Sequence, residues 1–192
     1  FKPTNDASTI DKGVVIEDRE GNQFVWIPVG DIKTTDGSTV TIDYDRYVYA
    51  SWKTNGTDSE TNSMKIQTTI DSTEYFKERL NETEKNSAVQ NGGFYLGRYE
   101  AGTTAERTEN SDIEDTIQIK EGAYIYNWID YTNSKSLAQG MYTSENYTSR
   151  LTSSYAWDTA LKFLEKTGNN SYLTNSTQGN YYNTNYFEFQ TK

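Results

Sequence analysis

The chain has 192 residues, a formal net charge of −10 and only 33% hydrophobic residues, yet it carries 16 Tyr, 7 Phe and 4 Trp. One domain is the expectation at this length, since domains run to roughly 100–200 residues, and aromatic side chains bury enough area to build a core in a chain this polar. With neither Cys nor His, thiol nucleophiles, Ser-His triads, His-ligated zinc, iron–sulfur sites and disulfides are excluded within it, and the negative charge argues against a nucleic-acid or anionic-membrane partner.

No apolar run reaches the roughly 18 residues that a transmembrane helix needs. Abundant Ser, Thr and Asn with sparse Lys suit an extracellular or cell-surface domain. Phe1 is not a natural start, so the chain is expected to continue upstream. Residues 1–12 are polar and read as a linker or entry segment, and 13–192 as a single domain in which 30–65 is a loop-rich insertion.

In chain order, residues 13–18 (GVVIED) read as a strand, 20–22 (EGN) as a turn and 23–29 (QFVWIPV) as the return strand, a hairpin signal. Both alternating sets in the second strand are apolar, so both faces are expected to be buried. Pro28 places the end of that strand there, or the strand at an edge. Val40, Ile42 and Tyr44 alternate, as do Tyr47 and Tyr49, which fits either an added hairpin or an irregular excursion. Asp43 and Asp45 lack the Gly and the distal Glu of a calcium-binding loop and read as solvated carboxylates. Asp71 to Glu74 fit a capping box, which predicts a helix from about Ser72 into the upper eighties with a polar second half.

Residues 91–102, NGGFYLGRYEAG, hold four glycines around an aromatic run. Glycine permits close backbone approach and positive φ, and Phe and Tyr favour strands, so 93–101 is expected to be a core strand bounded by tight turns. Residues 103–121 are acidic and Thr-rich and read as loop, with Ile113, Ile117 and Ile119 as material for a short strand. Residues 124–126 (YIY) read as extended, and Trp128 precedes a helix over about 129–142. Ser153 and Ser154 are a good N-cap pair for a third helix to about Lys166, with Gly168 as its stop. In that helix Trp157, Ala160, Leu161 and Leu164 fall at i, i+3, i+4 and i+7, a stripe that reads as core. Residues 168–192 are rich in Asn, Ser, Thr and Tyr, with 186–189 (YFEF) a candidate strand. The Asn-x-Ser/Thr triplets at Asn55, Asn81, Asn146, Asn169 and Asn175 are expected by chance at this composition.

Three segments, in this order, resemble the formylglycine-generating enzyme, or sulfatase-modifying-factor, family. QFVWIPVG (23–30) is similar to its opening strand, and GGFYLGRYEAG (92–102) to its Phe-Tyr-Ile-x-Lys/Arg-Tyr-Glu-Val strand. NWID (127–130) followed by SRLTSSYAWDTALKFL (149–164) is similar to its Val-Ser-Trp…Arg-Leu-Pro-Thr-Glu stretch, where Arg150, Leu151 and Trp157 match the family's Arg, Leu and helix Trp. The match covers about a third of the residues. It implies a C-type-lectin-like α+β fold with short antiparallel strands, about three helices and long loops. Cys-free versions of this domain, as in surface or pilin-like proteins of Gram-positive anaerobes, are the nearer resemblance. The family's C-terminal strands have no counterpart before Lys192, so that part is expected to be missing or divergent.

The enzymes of the family bind copper through a pair of cysteines, which this chain lacks. Formylglycine-type oxidation is therefore disfavoured, and no carboxylate spacing distinguishes acid–base work from a solvated acidic face. The resemblance implies instead a non-catalytic extracellular domain for ligand binding, adhesion or display, with an unknown glycan or protein ligand. The negative charge and the lack of a long apolar run argue against contact of this chain with a membrane, and no motif demands a cofactor, calcium being left open by the lectin-like fold. Tyr and Asn suit recognition loops, which makes Trp52, Tyr181, Tyr182, Asn183, Asn185 and Tyr186 the candidate binding residues. The alternative is a structural subunit that self-associates in a pilus or surface polymer.

Overall fold

The turn around Gly21 connects two strands of the main sheet. In the computed structural model, which describes residues 1–4, 9–48, 65–66, 80–109 and 116–168, strand β1 (Lys2–Pro3) pairs with β2 (Val15–Glu17), and β2 pairs through the turn with β3 (Gln23–Pro28). The Asp18 carboxylate shapes that turn by accepting the N–H groups of Glu20 and Asn22 at 3.0 and 2.8 Å. The alternation around Val40 and Ile42 resolves as a hairpin of β4 (Gly30–Lys33) and β5 (Thr39–Ile42), followed by the short pair β6 (Tyr47–Val48) and β7 (Lys65–Ile66). Helix α1 (Glu82–Gln90) leads into β8 (Gly93–Gly97), which returns to pair with β3. A second ribbon joins β9 (Gly102–Thr103) to β10 (Tyr124–Ile125), and α2 (Tyr131–Gly140) and α3 (Ser154–Lys166) follow. The described residues thus form a mixed fold of three α-helices and small antiparallel sheets, the largest in the order β1-β2-β3-β8.

Two joined clusters make the core. Ile27, Ile32 and Ile42 pack on Ala160 and Phe163 of α3, while Tyr44 and Ala88 pack on Tyr155 and Ala156, and Phe94 borders both clusters. The helix α3 therefore lies across the inner face of β3 and the β4–β5 hairpin. Only Ile27 and Pro28 of β3 are buried, and Phe24, Val25 and Trp26 are half-buried, so the expectation of two fully buried faces holds at the strand's end alone. The strand does end at Pro28, but inside the sheet rather than at its edge.

Several elements differ from the sequence reading. The helix expected from about Ser72 is not continuous through Asn81, whose backbone is extended and whose side chain caps α1 by accepting the Glu84 N–H. The helical segment that reaches Gln90 starts at a second box-like pattern, Asn81 to Glu84. The Asp71 capping box itself lies outside the described residues. The expected core strand 93–101 stops at Gly97 and, among the described residues, occupies the sheet edge. The helix over 129–142 is trimmed to α2 because the Asp130 carboxylate caps it, accepting the Asn133 N–H at 2.8 Å.

The third helix starts at the predicted Ser153 cap and stops before Gly168. Its buried face is nevertheless rotated from the predicted stripe. Tyr155, Ala156, Thr159, Ala160 and Phe163 are buried, whereas Trp157 is 55% exposed. Ile119 is buried and Gln118 bridges to Gly102, but no strand longer than this bridge forms there among the described residues.

The glycines of 91–102 act mainly through close approach. A Cβ at Gly93, where φ is +153°, would stand 2.4 Å from the Ile27 carbonyl oxygen and 2.5 Å from the Trp26 ring. At Gly102 it would stand 2.6 Å from the Ala123 Cβ. Both separations are far inside van der Waals contact, so these two positions admit no side chain without moving a strand.

Candidate ligand-binding surface

The predicted binding residues Trp52, Tyr181, Tyr182, Asn183, Asn185 and Tyr186 lie outside the described residues, as do Tyr49, Ile113 and the segment 186–189. Among the described residues, the densest run of exposed large apolar side chains is elsewhere, within residues 124–131. Tyr124, Ile125, Trp128 and Tyr131 are all exposed, Trp128 to 54% and Tyr131 to 73%. Ordinary strands bury one face, but both residues of β10 face solvent. The helix α2 that follows buries no residue completely.

This ridge is built on a braced frame. Gly102 closes the β9–β10 ribbon and also exchanges two hydrogen bonds with Gln118, at 2.8 and 2.9 Å. Thr103 is fully buried, and its hydroxyl donates to the Ala105 carbonyl at 2.6 Å. Tyr126 donates its N–H to the Ala101 carbonyl at 2.9 Å, and Asn127 its N–H to the Ile125 carbonyl at 2.8 Å. The turn this makes leads into Trp128, which has φ of +52°, the one positive value outside glycine among the described residues. A bulky residue in the left-handed region costs roughly 1–3 kcal/mol and persists only where its surroundings impose it.

Arg107 imposes it. This arginine is buried, its guanidinium donates to the Asn127 carbonyl at 3.1 Å and the Trp128 carbonyl at 3.3 Å, and it lies 4.9 Å from the centre of the Tyr126 ring. Planar guanidinium donors spread over several acceptors suit such a clamp. A buried cation thus spends its hydrogen bonds on holding an exposed Trp in a strained backbone. Nothing in the sequence marked Arg107. The ridge did leave a signal, because YIYNWIDY places apolar residues on both sides of any strand or helix period.

Three polar clusters elsewhere hold elements together. Glu84 joins α1 to α3: it accepts from the hydroxyls of Tyr44 and Ser153 and pairs with Arg150 at 2.9 Å. Burial and the neighbouring Glu84 carboxylate push the Tyr44 phenol up. Asp18 accepts from Tyr142, from the Asn22 amide at 2.8 Å and from the turn N–H groups. Burial pushes the Asp18 carboxyl up, but these hydrogen bonds outweigh it and hold it below its ordinary value. On α3, Asp158 pairs with Arg46 at 2.6 Å, and the fully buried Lys162 donates to the Asp45 carbonyl at 2.7 Å. Burial lowers the Lys162 ammonium, against the pull of Asp45, Asp43 and Asp158.

Asp43 is exposed, the Asp45 carboxylate accepts the Arg46 N–H, and among the described residues no three acidic side chains group as a metal site would require. A hollow of about 470 Å³ lies between Asp11, Thr35, Asp36, Ser38 and Lys166. The carboxylates of Asp11 and Asp36 in it are taken up by Thr and Ser hydroxyls and backbone N–H groups of the hairpin. Of the residues that carry the family resemblance, Arg150 is in the Glu84 cluster, while Leu151 and Trp157 are exposed. No protein-family model, no curated protein and no solved structure matches the chain.

Proposed function

We propose that the chain is a non-catalytic ligand-binding or adhesion domain of a bacterial surface protein, with a C-type-lectin-like fold related to formylglycine-generating enzymes. The observation that carries this reading is the aromatic ridge of Tyr124, Ile125, Trp128 and Tyr131 on a frame braced by a buried arginine. Rigid aromatic side chains presented at a turn give contact area at low entropic cost, the property that recognition surfaces select. The mixed fold with short antiparallel strands is compatible with the lectin-like scaffold, and the three resembling segments fall on β3, on β8 with the turn after it, and on the Trp128 turn and α3. The absence of Cys and His removes the thiol-based oxidation of the related enzymes.

The test is a screen of the whole chain against immobilised neutral and charged glycans and against peptides, with Trp128→Ala alongside. The expected outcome is a ligand whose binding is lost or weakened in the variant. A ligand held equally by both proteins would move the binding site off the ridge and remove this reading's support.

A second reading, a subunit of a surface polymer, is favoured by strand β8. Among the described residues it pairs on one side only and carries an exposed Tyr95, and an open edge is a place where another chain can add a strand. Light scattering over a concentration series separates the two readings, since a polymer subunit grows in mass with concentration and a display domain does not.

A further inference from the structure

The two edges of the main sheet differ. Strand β1 carries an exposed Lys2 and Pro3, which has no N–H to offer, and these are two of the devices that keep an edge from pairing. Strand β8 carries neither, and residues 91–97 (NGGFYLG) hold no charge in a chain of net −10. The Val29 N–H donates to the Gly92 carbonyl at 2.9 Å and the Arg98 N–H to the Gln23 carbonyl at 3.0 Å, which sets the alternation of the β3–β8 ladder. Phe94 and Leu96 therefore turn their N–H and C=O groups toward β3, and Gly93, Tyr95 and Gly97 turn theirs away. Among the described residues no strand or loop takes up those outward groups.

We propose that β8 pairs antiparallel with β8 of a second copy of this chain, with Tyr95 on the two-fold axis, to give a closed dimer. About that axis Gly93 faces Gly97 of the second copy, Tyr95 faces Tyr95, and Gly97 faces Gly93. The same three residues then supply donors and acceptors on both sides, and each outward group finds a partner. A two-fold contact requires this self-complementarity. On the outer face the Tyr95 ring, whose centre lies 4.8 Å from that of Trp26, comes beside its own copy, and cross-strand aromatic pairs stabilise a sheet. On the inner face the half-buried Phe94 stands opposite the half-buried Leu96, apolar against apolar. Charge selects the antiparallel sense. It sets the two Arg98 side chains at opposite ends, roughly 20 Å apart along the strand and beyond the screening length of about 8 Å, whereas a parallel pair would bring them side by side. A five-residue strand is about 17 Å long, and a contact of that length falls short of the roughly 1,200 Å² that stable interfaces bury, so the pair is weak and forms as concentration rises. The dimer rests on the open edge named in the second reading above but uses that edge up, so growth stops at two copies.

The experiment is sedimentation equilibrium of the 192-residue protein from about 1 μM to about 1 mM, the range of weak association. The expected mass climbs from 22.0 kDa and levels off at twice that value. Tyr95→Lys and Tyr95→Glu each set like charges directly opposite one another across the axis and should each stay monomeric, while an equimolar mixture of the two should regain the dimer because Lys then faces Glu. Circular dichroism checks that both variants fold. Hydrogen exchange of the unaltered protein gives a second measurement. The Tyr95 and Gly97 amides should exchange more slowly as concentration rises, whereas those of Phe94 and Leu96, bonded to β3 in either state, should not change. A monomer throughout the range overturns the dimer and the polymer reading together. A mass that passes twice the monomer overturns the closed pair and leaves the polymer reading standing. Variants that still dimerise, or a mixture that stays monomeric, overturn the placement of Tyr95 on the axis. Exchange at Tyr95 and Gly97 that ignores concentration overturns the pairing whether or not the variants fold.

Discussion

At Trp128 the backbone and the side chain make opposite demands. The φ of +52° suits glycine, while the exposed ring is what a ligand would meet. Replacing Trp128 by Ala keeps the strained backbone and removes the ring, and replacing it by Gly removes both. We expect Trp128→Gly to be more stable than Trp128→Ala by about 1 kcal/mol, the size of the left-handed penalty, with both variants equally impaired in binding. Paired urea unfolding curves measure the difference, and a less stable glycine variant would show that the left-handed turn is not strained. Neither the strain nor its brace was legible in the chain. An Arg in a Thr-rich acidic stretch reads as solvated, and only the fold brings Arg107 within 3.3 Å of carbonyls 20 and 21 residues away. The glycines of 91–102 were legible because close packing leaves no substitute for them, as the 2.4 Å and 2.6 Å approaches at Gly93 and Gly102 show.

Helix α3 shows which element-scale signals survive. Its ends were legible, since the Ser153 hydroxyl accepts the Ala156 N–H and Gly168 ends it with φ of +85°. Its rotation was not, because the buried face recruits Tyr155, Thr159 and Lys162, and each has a private partner. Thr159 donates to the Tyr155 carbonyl at 2.7 Å, Lys162 to the Asp45 carbonyl, and Tyr155 stacks at 6.3 Å on Tyr44. A hydrophobic period counts such residues as polar or neutral and assigns the face to Trp157 instead. The start of α1 was not read at Asn81 either, because its Asn cap is a weaker sequence signal than an apolar period. The rotation predicts that Phe163→Ala costs about 3–5 kcal/mol, as for a buried aromatic, while Trp157→Ala costs less than about 1 kcal/mol. Thermal melts of the two variants would reverse in order if the predicted stripe were the buried one.

For the whole molecule, titration follows from what the chain lacks as much as from what it holds. Without His or Cys, no side chain has an ordinary pKa between about 5 and 8, and the resolved shifts of the carboxylates and phenols point away from that window, that of Lys162 alone pointing toward it. The Thr9 hydroxyl and the Thr35 N–H hold the Asp11 carboxyl at about 2, and the Thr34 hydroxyl with the Ser38 N–H does the same for Asp36. Glu17 is lowered by the Gln23 amide against burial, and Asp18 is lowered by its hydrogen bonds against burial. A folded-state pKa below the unfolded one gives stability that is complete above about pH 4 and is lost as pH falls toward about 2. At the other end, burial first and then Glu84 and Asp18 raise the phenols of Tyr44 and Tyr142. That stability is complete below about pH 10 and is lost as pH rises through the folded values. Lys162, lowered by burial, works in the opposite sense: its contribution rises with pH up to the unfolded lysine value of about 10.4, before the phenols lose theirs. Above that value only the two phenols act, so the alkaline limb falls. The melting temperature should fall below about pH 4 and above about pH 10, and Tyr142→Phe should flatten the alkaline limb and, by removing one of the hydrogen bonds that hold the Asp18 carboxyl down, soften the acid limb as well. Melting curves at unit steps of pH test this directly. A slope between pH 6 and 8 would require a group moved into that window, and Lys162→Met would then identify whether the buried ammonium is that group.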